Sequence, residues 1–257
     1  MITSTHNSKV QLARSLLGRS RERRKTDAFV AEGVRLVEEA LVVGWPFQFV
    51  LAGERLKERG RALVADLQSR GVEVEIVTND LMQSVSETET SQGILAILDN
   101  LLLPVPQALS FALILDQIRD PGNLGTLLRT AAAAGVQAVF LPPETADAFA
   151  PKVVRAGMGA HFRLPIHALN WDDIRTHTDG LQIHLADTEG AISCWEVDFR
   201  SPLALIVGGE ADGASRLAQG LATSKLCIPM PGMTESLNAA VAGAILMFEV
   251  VRQRTMK

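Results

Sequence analysis

Three short polar stretches, each set against an apolar run, hold the residue types that could do chemistry in this chain. The first is DQIRDPGNLGTLLRTAAAAGVQAVFL, Asp116 to Leu141, in which Arg129 sits among leucines and alanines. An arginine in such company needs either a partner, as a structural salt bridge, or a task of its own. Asn123 follows the Asp120-Pro121-Gly122 turn and reads as the N-cap of an alanine-rich helix that Gly135 closes. The second stretch is Gly208-Gly209-Glu210, behind the apolar run Leu203 to Val207. Its glycines let backbone approach a ligand closely while a carboxylate points into the same loop, although a strand-to-helix turn with glycines is often only a turn. The third is Glu235-Ser236-Leu237-Asn238, at the mouth of a long apolar segment. Ser236 reads as that helix's N-cap; a helix does not need two caps, so Asn238 is left for other work. A guanidinium, a carboxylate, two carboxamides and a hydroxyl are groups that grip and orient a polar ligand.

Other chemistries lack their signatures. No GxGxxG follows a strand and there is no P-loop, so a dinucleotide or GTP site is poorly supported. His6, His161, His167, His177 and His184 show no ligand spacing, and no metal is expected. Cys194 and Cys227 have neither metal nor disulfide spacing, which fits a reducing cytosol. Met1 to Ser20 lacks an apolar signal core and no segment approaches a membrane span, so the expected location is cytoplasmic. The composition, 47% hydrophobic and 21% charged over 257 residues, is that of an ordinary globular chain with room for one large domain or two smaller ones. A net charge of −4 does not advertise a nucleic-acid binder. The local distribution does: Arg14, Arg19, Arg21, Arg23, Arg24 and Lys25 are opposed only by Glu22. Such a cluster is either a solvated helix end or a set of phosphate contacts.

The elements that must position these groups alternate. Val10 to Leu17 is a short amphipathic helix, followed by the basic turn. Strands are expected at Ala28 to Ala31, Phe47 to Leu51, Val72 to Val77 and Gly93 to Leu98, with helices at Val34 to Val43, Glu54 to Gln68 and Leu81 to Val85. This makes a first α/β domain, 1–100. A proline-bearing linker, 101–107, leads into a second domain, 108–257. There, strands Phe111 to Leu115, Ala138 to Leu141, Arg163 to Ile166, Gln182 to Ala186, Leu203 to Val207 and Leu226 to Ile228 alternate with helices that include Lys152 to Met158, Trp171 to His177 and Ser236 to Arg252. Alternation of this kind implies an α/β fold with a mainly parallel sheet covered by helices on both faces.

Taken jointly, DPGNLGTLLRTAAAAG, LIVGGEADG and CIPMPGMTESLNAAVAGAIL resemble the three signature motifs of the SpoU (TrmH) family of RNA ribose 2′-O-methyltransferases, in the family's order and separation. The likeness runs from about Phe111 to the end and includes PKVVRAGMGAHFRLPI, Pro151 to Ile166. FVAEGVRLVEEAL, Phe29 to Leu41, is similar to the family's small ribosomal-protein-like RNA-binding domain. The chain departs from the family pattern at Ala211 and Ala239, where glycine and valine are common. The resemblance implies a deep trefoil knot in the C-terminal domain, an exception to the rule against knots. It further implies S-adenosylmethionine as cofactor, bound near Gly208, Ile228 and Leu237, and a homodimer packed through the knot. Asn123, Arg129, Glu210, Ser236 and Asn238 match the family's polar active-site positions.

On that resemblance the reaction is methyl transfer to a ribose 2′-hydroxyl of structured RNA, ribosomal RNA first and transfer RNA second. A non-catalytic RNA-binding protein that keeps the fold is the alternative from a different class. The hydroxyl is a weak nucleophile, so the residues must align it and ease the loss of its proton. Arg129 is either the base for that step or an electrostatic clamp on phosphate and alkoxide; a guanidinium pKa above about 12 favours the clamp. In a dimer, Arg129 is expected to act in trans with Glu210 and Asn238.

Overall fold

The computed structural model describes residues 1–86, 91–209, 213–232 and 234–255. They form two compact units, one of Met1–Leu101 with Phe149–Phe162, the other of Leu102–Ala148 with Arg163–Lys257.

The first unit opens with α1 (Ser8–Gly18) and α2 (Ser20–Thr26) and continues through β1 (Ala28–Glu32), α3 (Val34–Val42), β2 (Phe47–Gly53), α4 (Glu58–Ser69), β3 (Val74–Val77), α5 (Asn79–Ser84) and β4 (Ile94–Asp99). Its sheet runs β1-β4-β2-β3, with β4 antiparallel to both neighbours and β2 parallel to β3. Val10, Ala13 and Leu16 recur at helical spacing on α1 and seal one side of that sheet against Val30, Leu51 and Ile97. The segment expected to be a basic turn is the helix α2. Glu22 in its first turn and Arg23, Arg24 and Lys25 in its last complement the helix dipole, which is one physical reason for the cluster. Arg23 is buried there, donating from Nη1 to the carbonyls of Leu16 and, at 3.3 Å, of Leu17. It therefore closes the end of α1, whereas Arg14, Arg19, Arg21, Arg24 and Lys25 are exposed.

The second unit begins with β5 (Phe111–Asp116), α6 (Pro121–Ala133) and β6 (Ala138–Leu141). The chain then gives α7 (Pro151–Gly157) and a 3-10 turn at Ala160–Phe162 to the first unit. Aromatic packing accounts for this: Phe29 meets Phe149 at 5.1 Å between ring centroids, and Trp45 meets Phe162 at 5.2 Å. The sequence, read as continuous spans, had placed this segment within 108–257. Returning to the second unit, β7 (Ile166–Ala168), α8 (Trp171–His177), β8 (Gln182–Ala186), β9 (Ile192–Ser193), β10 (Leu203–Gly208), α9 (Arg216–Leu221), β11 (Ser224–Cys227) and α10 (Ala239–Thr255) follow. The strand expected at Arg163 to Ile166 starts later because Pro165 cannot donate to a ladder; its carbonyl accepts from Val139 instead, at 2.8 Å.

Among the described residues the second unit holds a seven-stranded sheet ordered β7-β6-β5-β10-β8-β11-β9, with every pairing parallel. β5 is buried along its whole length, as a central parallel strand with both faces covered must be. Gly243 lets α10 lie close on α6 and β10: a Cβ there would stand 2.4 Å from Leu127 Cδ2 and 3.4 Å from Val207 Cγ2. No helix among the described residues is long and apolar enough to cross a membrane.

Candidate active site

The site gathers at the carboxyl ends of β10, β8 and β11, three neighbouring parallel strands, where open α/β sheets take ligands. A cavity of about 630 Å³ lies there. Gly208, Ile228 and Leu237, expected from the sequence as cofactor-binding, all line it, as do Ser236 and Asn238. Val207, Leu226, Ala239 and Ala242 supply apolar wall, and Asp187, Thr188 and Gln219 polar wall. Glu210, and Ala211 beside it, lie outside the described residues.

Backbone packing explains the glycines of the second stretch. A Cβ on Gly208 would stand 2.6 Å from the Ala214 nitrogen, and one on Gly209 would stand 2.5 Å from the Gln117 oxygen. Both obstacles are main chain, so neither position tolerates a side chain without moving a loop. Asp116, directly opposite Gly208 in the β5–β10 ladder, adds a third tie. It is 1% exposed, and its Oδ2 accepts from the Ser215 amide at 2.6 Å. Burial pushes the Asp116 carboxyl above the ordinary aspartate range, and the Ser215 hydrogen bond offsets only part of that. The glycine loop is thus pinned to the end of β5 at both of its described ends.

Capping differs from the expectation at both helices that flank the cavity. Asp120, not Asn123, caps α6: its Oδ1 accepts from the Asn123 amide at 2.8 Å, and Pro121 takes the first helical position, where its missing N–H is harmless. Asn123 is therefore inside the first turn. Likewise Ser236 does not cap α10, which starts at Ala239. Asn238 does: its Oδ1 accepts from the Ala240 and Val241 amides at 2.9 and 3.2 Å. Since backbone amides only donate, this fixes which end of the Asn238 carboxamide is oxygen. Its Nδ2 then faces outward and donates to Asn123 Oδ1 at 3.1 Å, tying the third stretch to the first within one chain.

Arg129 stands apart from this group. It lies on the exposed side of α6, and among the described residues its guanidinium makes no hydrogen bond or ion pair. That removes the structural-salt-bridge reading for the described part of the chain. Sequence reasoning missed Asp116, Asp187 and Thr188. The signal was present for Asp187 and Thr188, which directly follow a strand whose bounds, Gln182 to Ala186, the sequence showed. Among the described residues no group of three or more His, Cys, Asp or Glu could hold a metal ion.

A parallel sheet with a backbone-lined cavity at its carboxyl ends, closed by a helix whose cap reaches across to the first turn of another, defines an α/β ligand-binding domain. Residues 110–248 match the SpoU rRNA Methylase family, and residues 7–96 match the MRM3-like substrate binding domain. The chain belongs to the SpoU rRNA methylase family. It is 34% identical over 255 residues to the 23S rRNA (guanosine(2553)-2'-O)-methyltransferase RlmP of Bacillus subtilis, covering 97% of this chain and 98% of that one. The AdoMet-bound rRNA methyltransferase from Sinorhizobium meliloti superposes with a TM-score of 0.86 at 30% identity, covering 100% of this chain and 98% of that one. The SpoU methyltransferase AviRb from Streptomyces viridochromogenes, in complex with AdoMet, does so at 0.84 and 27% identity, covering 96% and 99%.

Proposed function

We propose that this protein transfers the methyl group of S-adenosylmethionine to a ribose 2′-hydroxyl of ribosomal RNA. The observation that carries the reading is the Asn123–Asn238 bond at the rim of the cavity, which joins the first and third motif stretches beside the glycine loop of the second. The cavity suits the cofactor. Gly208 presents main chain to it, Val207, Leu226, Ile228 and Leu237 offer apolar wall to an adenine, and Asp187, Thr188 and Gln219 offer polar wall to the rest.

Bound there, S-adenosylmethionine supplies an already activated methyl group. The chain's residues must then present the ribose oxygen in line with it and stabilise the charge that grows as the hydroxyl loses its proton. Asn123 and Asn238 orient the ribose. Arg129, exposed and without an ion-pair partner among the described residues, grips the adjacent phosphate and the developing alkoxide. A guanidinium is too weak a base for more than that, so the proton leaves to Glu210 or to water.

The finer architecture belongs to the same proposal. A trefoil knot is supported by the chain path: the glycine loop is fixed to β5 by Asp116, and the segment Ser236–Asn238 passes beside Gly208 before α10 packs on α6. A homodimer is supported by Val241 and Phe248, exposed by 47% and 48% on the otherwise well-packed α10. In that dimer Arg129 serves the partner's site, while Asn123 and Asn238 stay together in one chain. The first unit, with exposed Arg14, Arg19, Arg21, Arg24 and Lys25, binds the RNA, and the protein works in the cytoplasm on ribosomal RNA. The test is to compare 2′-O-methyl maps of ribosomal RNA from cells with and without the gene. One mark should vanish with the gene and return in vitro with the purified protein and S-adenosylmethionine. Unchanged ribosomal RNA with a mark lost from transfer RNA would replace the substrate; no lost mark in either would remove the activity.

A further inference from the structure

The wall that β8 contributes to the cavity ends in a carboxylate named so far only as polar lining. Asp187 follows Ala186, the last residue of β8, and so stands at a strand's carboxyl end between β10 and β11. Its side chain lines the cavity and keeps only 23% of its exposure. It is held from behind: Lys225 on β11 reaches Oδ2 at 3.0 Å, and the Glu189 amide donates to Oδ1 at 3.0 Å. Burial alone would raise this carboxyl; the Lys225 and Glu189 donors outweigh burial and hold it below the ordinary aspartate range, charged at neutral pH. Each carboxylate oxygen offers about two acceptor positions, so one bond to each leaves capacity to receive more. Among the described lining residues it is the one carboxylate, sharing the cavity with backbone and apolar wall at Gly208 and Ile228.

A fixed, ionised acceptor at the end of a parallel strand is well placed for the vicinal hydroxyls of a ribose, as the acidic residue of dinucleotide-binding sheets is. We propose that Asp187 accepts hydrogen bonds from the ribose diol of the cofactor's adenosine, and that Lys225 is the positioning residue that aims it. The inference rests on the S-adenosylmethionine reading above. The competing explanation is that Asp187 only organises the turn through the Glu189 amide.

Calorimetry with S-adenosylhomocysteine and its 2′,3′-dideoxyribose counterpart separates the two. The wild-type chain should bind the diol compound about tenfold more tightly or better, the usual worth of hydrogen bonds to a charged group. Asp187→Ala should bind both compounds with affinities within about twofold of each other, because the interaction being measured is gone. Asp187→Asn keeps the shape and one acceptor, guards against misfolding, and should show reduced discrimination in a folded protein whose melting temperature falls only by the loss of the Lys225 pair. Lys225→Met should lower the discrimination while leaving Asp187 in place. Full discrimination in Asp187→Ala would return the residue to a turn organiser and overturn the proposal. Equal binding of both compounds by the wild type would overturn it while keeping the methyltransferase reading. Binding of neither compound by the wild type at millimolar concentration would remove that reading and this inference with it.

Discussion

Two arginines sit in opposite surroundings and behave opposite to them. Arg23 belongs to α2, a helix of charged residues, yet is 6% exposed and spends its guanidinium on the carbonyls at the end of α1. Arg129 belongs to α6, rich in leucine and alanine, yet is exposed and makes no ion pair among the described residues. Helical rotation explains the inversion. Successive residues turn by about 100°, so Arg23 points inward while Arg21, Arg24 and Lys25, at i, i+3 and i+4, share the outer face. On α6 the buried stripe is Leu124, Leu127, Leu128 and Ala131, and Arg129 falls outside it. A cation already engaged by its own fold is a structural part, whereas one left in solvent is available to a ligand.

Removing Arg129 tests this contrast hardest. Arg129→Ala should lower methyl transfer by about a hundred- to a thousandfold, the usual loss for one charge-stabilising donor. Melting temperature and S-adenosylmethionine affinity should stay put. Near-wild-type turnover would end its catalytic assignment. Co-refolding Arg129→Ala with Asn238→Ala then asks whose site Arg129 serves. Random pairing makes about half the dimers mixed and each mixed dimer holds one intact site, so about a quarter of wild-type activity should return if Arg129 acts in trans. A mixture as inactive as its parents, with mixed dimers confirmed by mass, assigns Arg129 to its own chain.

Arg23→Ala should act on the other axis, costing about 1–3 kcal/mol in chemical denaturation because the Leu16 and Leu17 carbonyls lose a buried donor. Unchanged stability there would break the comparison. Substituting Arg21, Arg24 and Lys25 together by glutamine should leave stability within about 0.5 kcal/mol. It should also flatten the log–log salt dependence of RNA binding by up to about 0.7–0.9 for each phosphate that is no longer neutralised. An unaltered slope would make the cluster a solvated face.

The smallest effect is expected at Asp116. Its folded pKa is raised, so the folded state holds this proton more tightly than the unfolded chain does, and ionisation costs stability. Relative to Asp116→Asn, the wild type should lose stability as pH climbs from the ordinary aspartate range through the raised folded value. Above that window the difference should be flat. Parallel stability curves for the two proteins would show that the carboxyl titrates as it does in the unfolded chain.

Strands were the legible part of this chain. Apolar runs such as Phe111 to Leu115 and Leu203 to Val207 announce buried parallel strands by composition alone, and Gln182 to Ala186 and Trp171 to His177 have the bounds expected from pattern. Helix starts were less legible, since Asp120, Asn123, Ser236 and Asn238 are all competent caps and the winner depends on tertiary geometry. The short strand β9 has two residues and no periodicity to read. At the site, the motif residues stood out by type, but the carboxylates that brace it did not. Asp116 ends an apolar strand and looks like the first residue of a loop; only the fold brings Ser215 to it.

The Asn123–Asn238 bond joins residues 115 positions apart, and Arg254 reaches the Ser110 carbonyl across 144. At synthesis rates of about 5–20 residues per second, the first interval alone takes roughly 6 to 23 s. Throughout that time β5 and α6 can exist while the rim of the cavity cannot, because the strand ends and the cap that complete it are still unmade. A nascent chain therefore has a sheet edge waiting for β10 before it has anywhere to hold a cofactor. The proposed enzyme of ribosomal RNA becomes competent only once Asn238 and α10 have been made, and every truncated product that stops before Asn238 is born without the site.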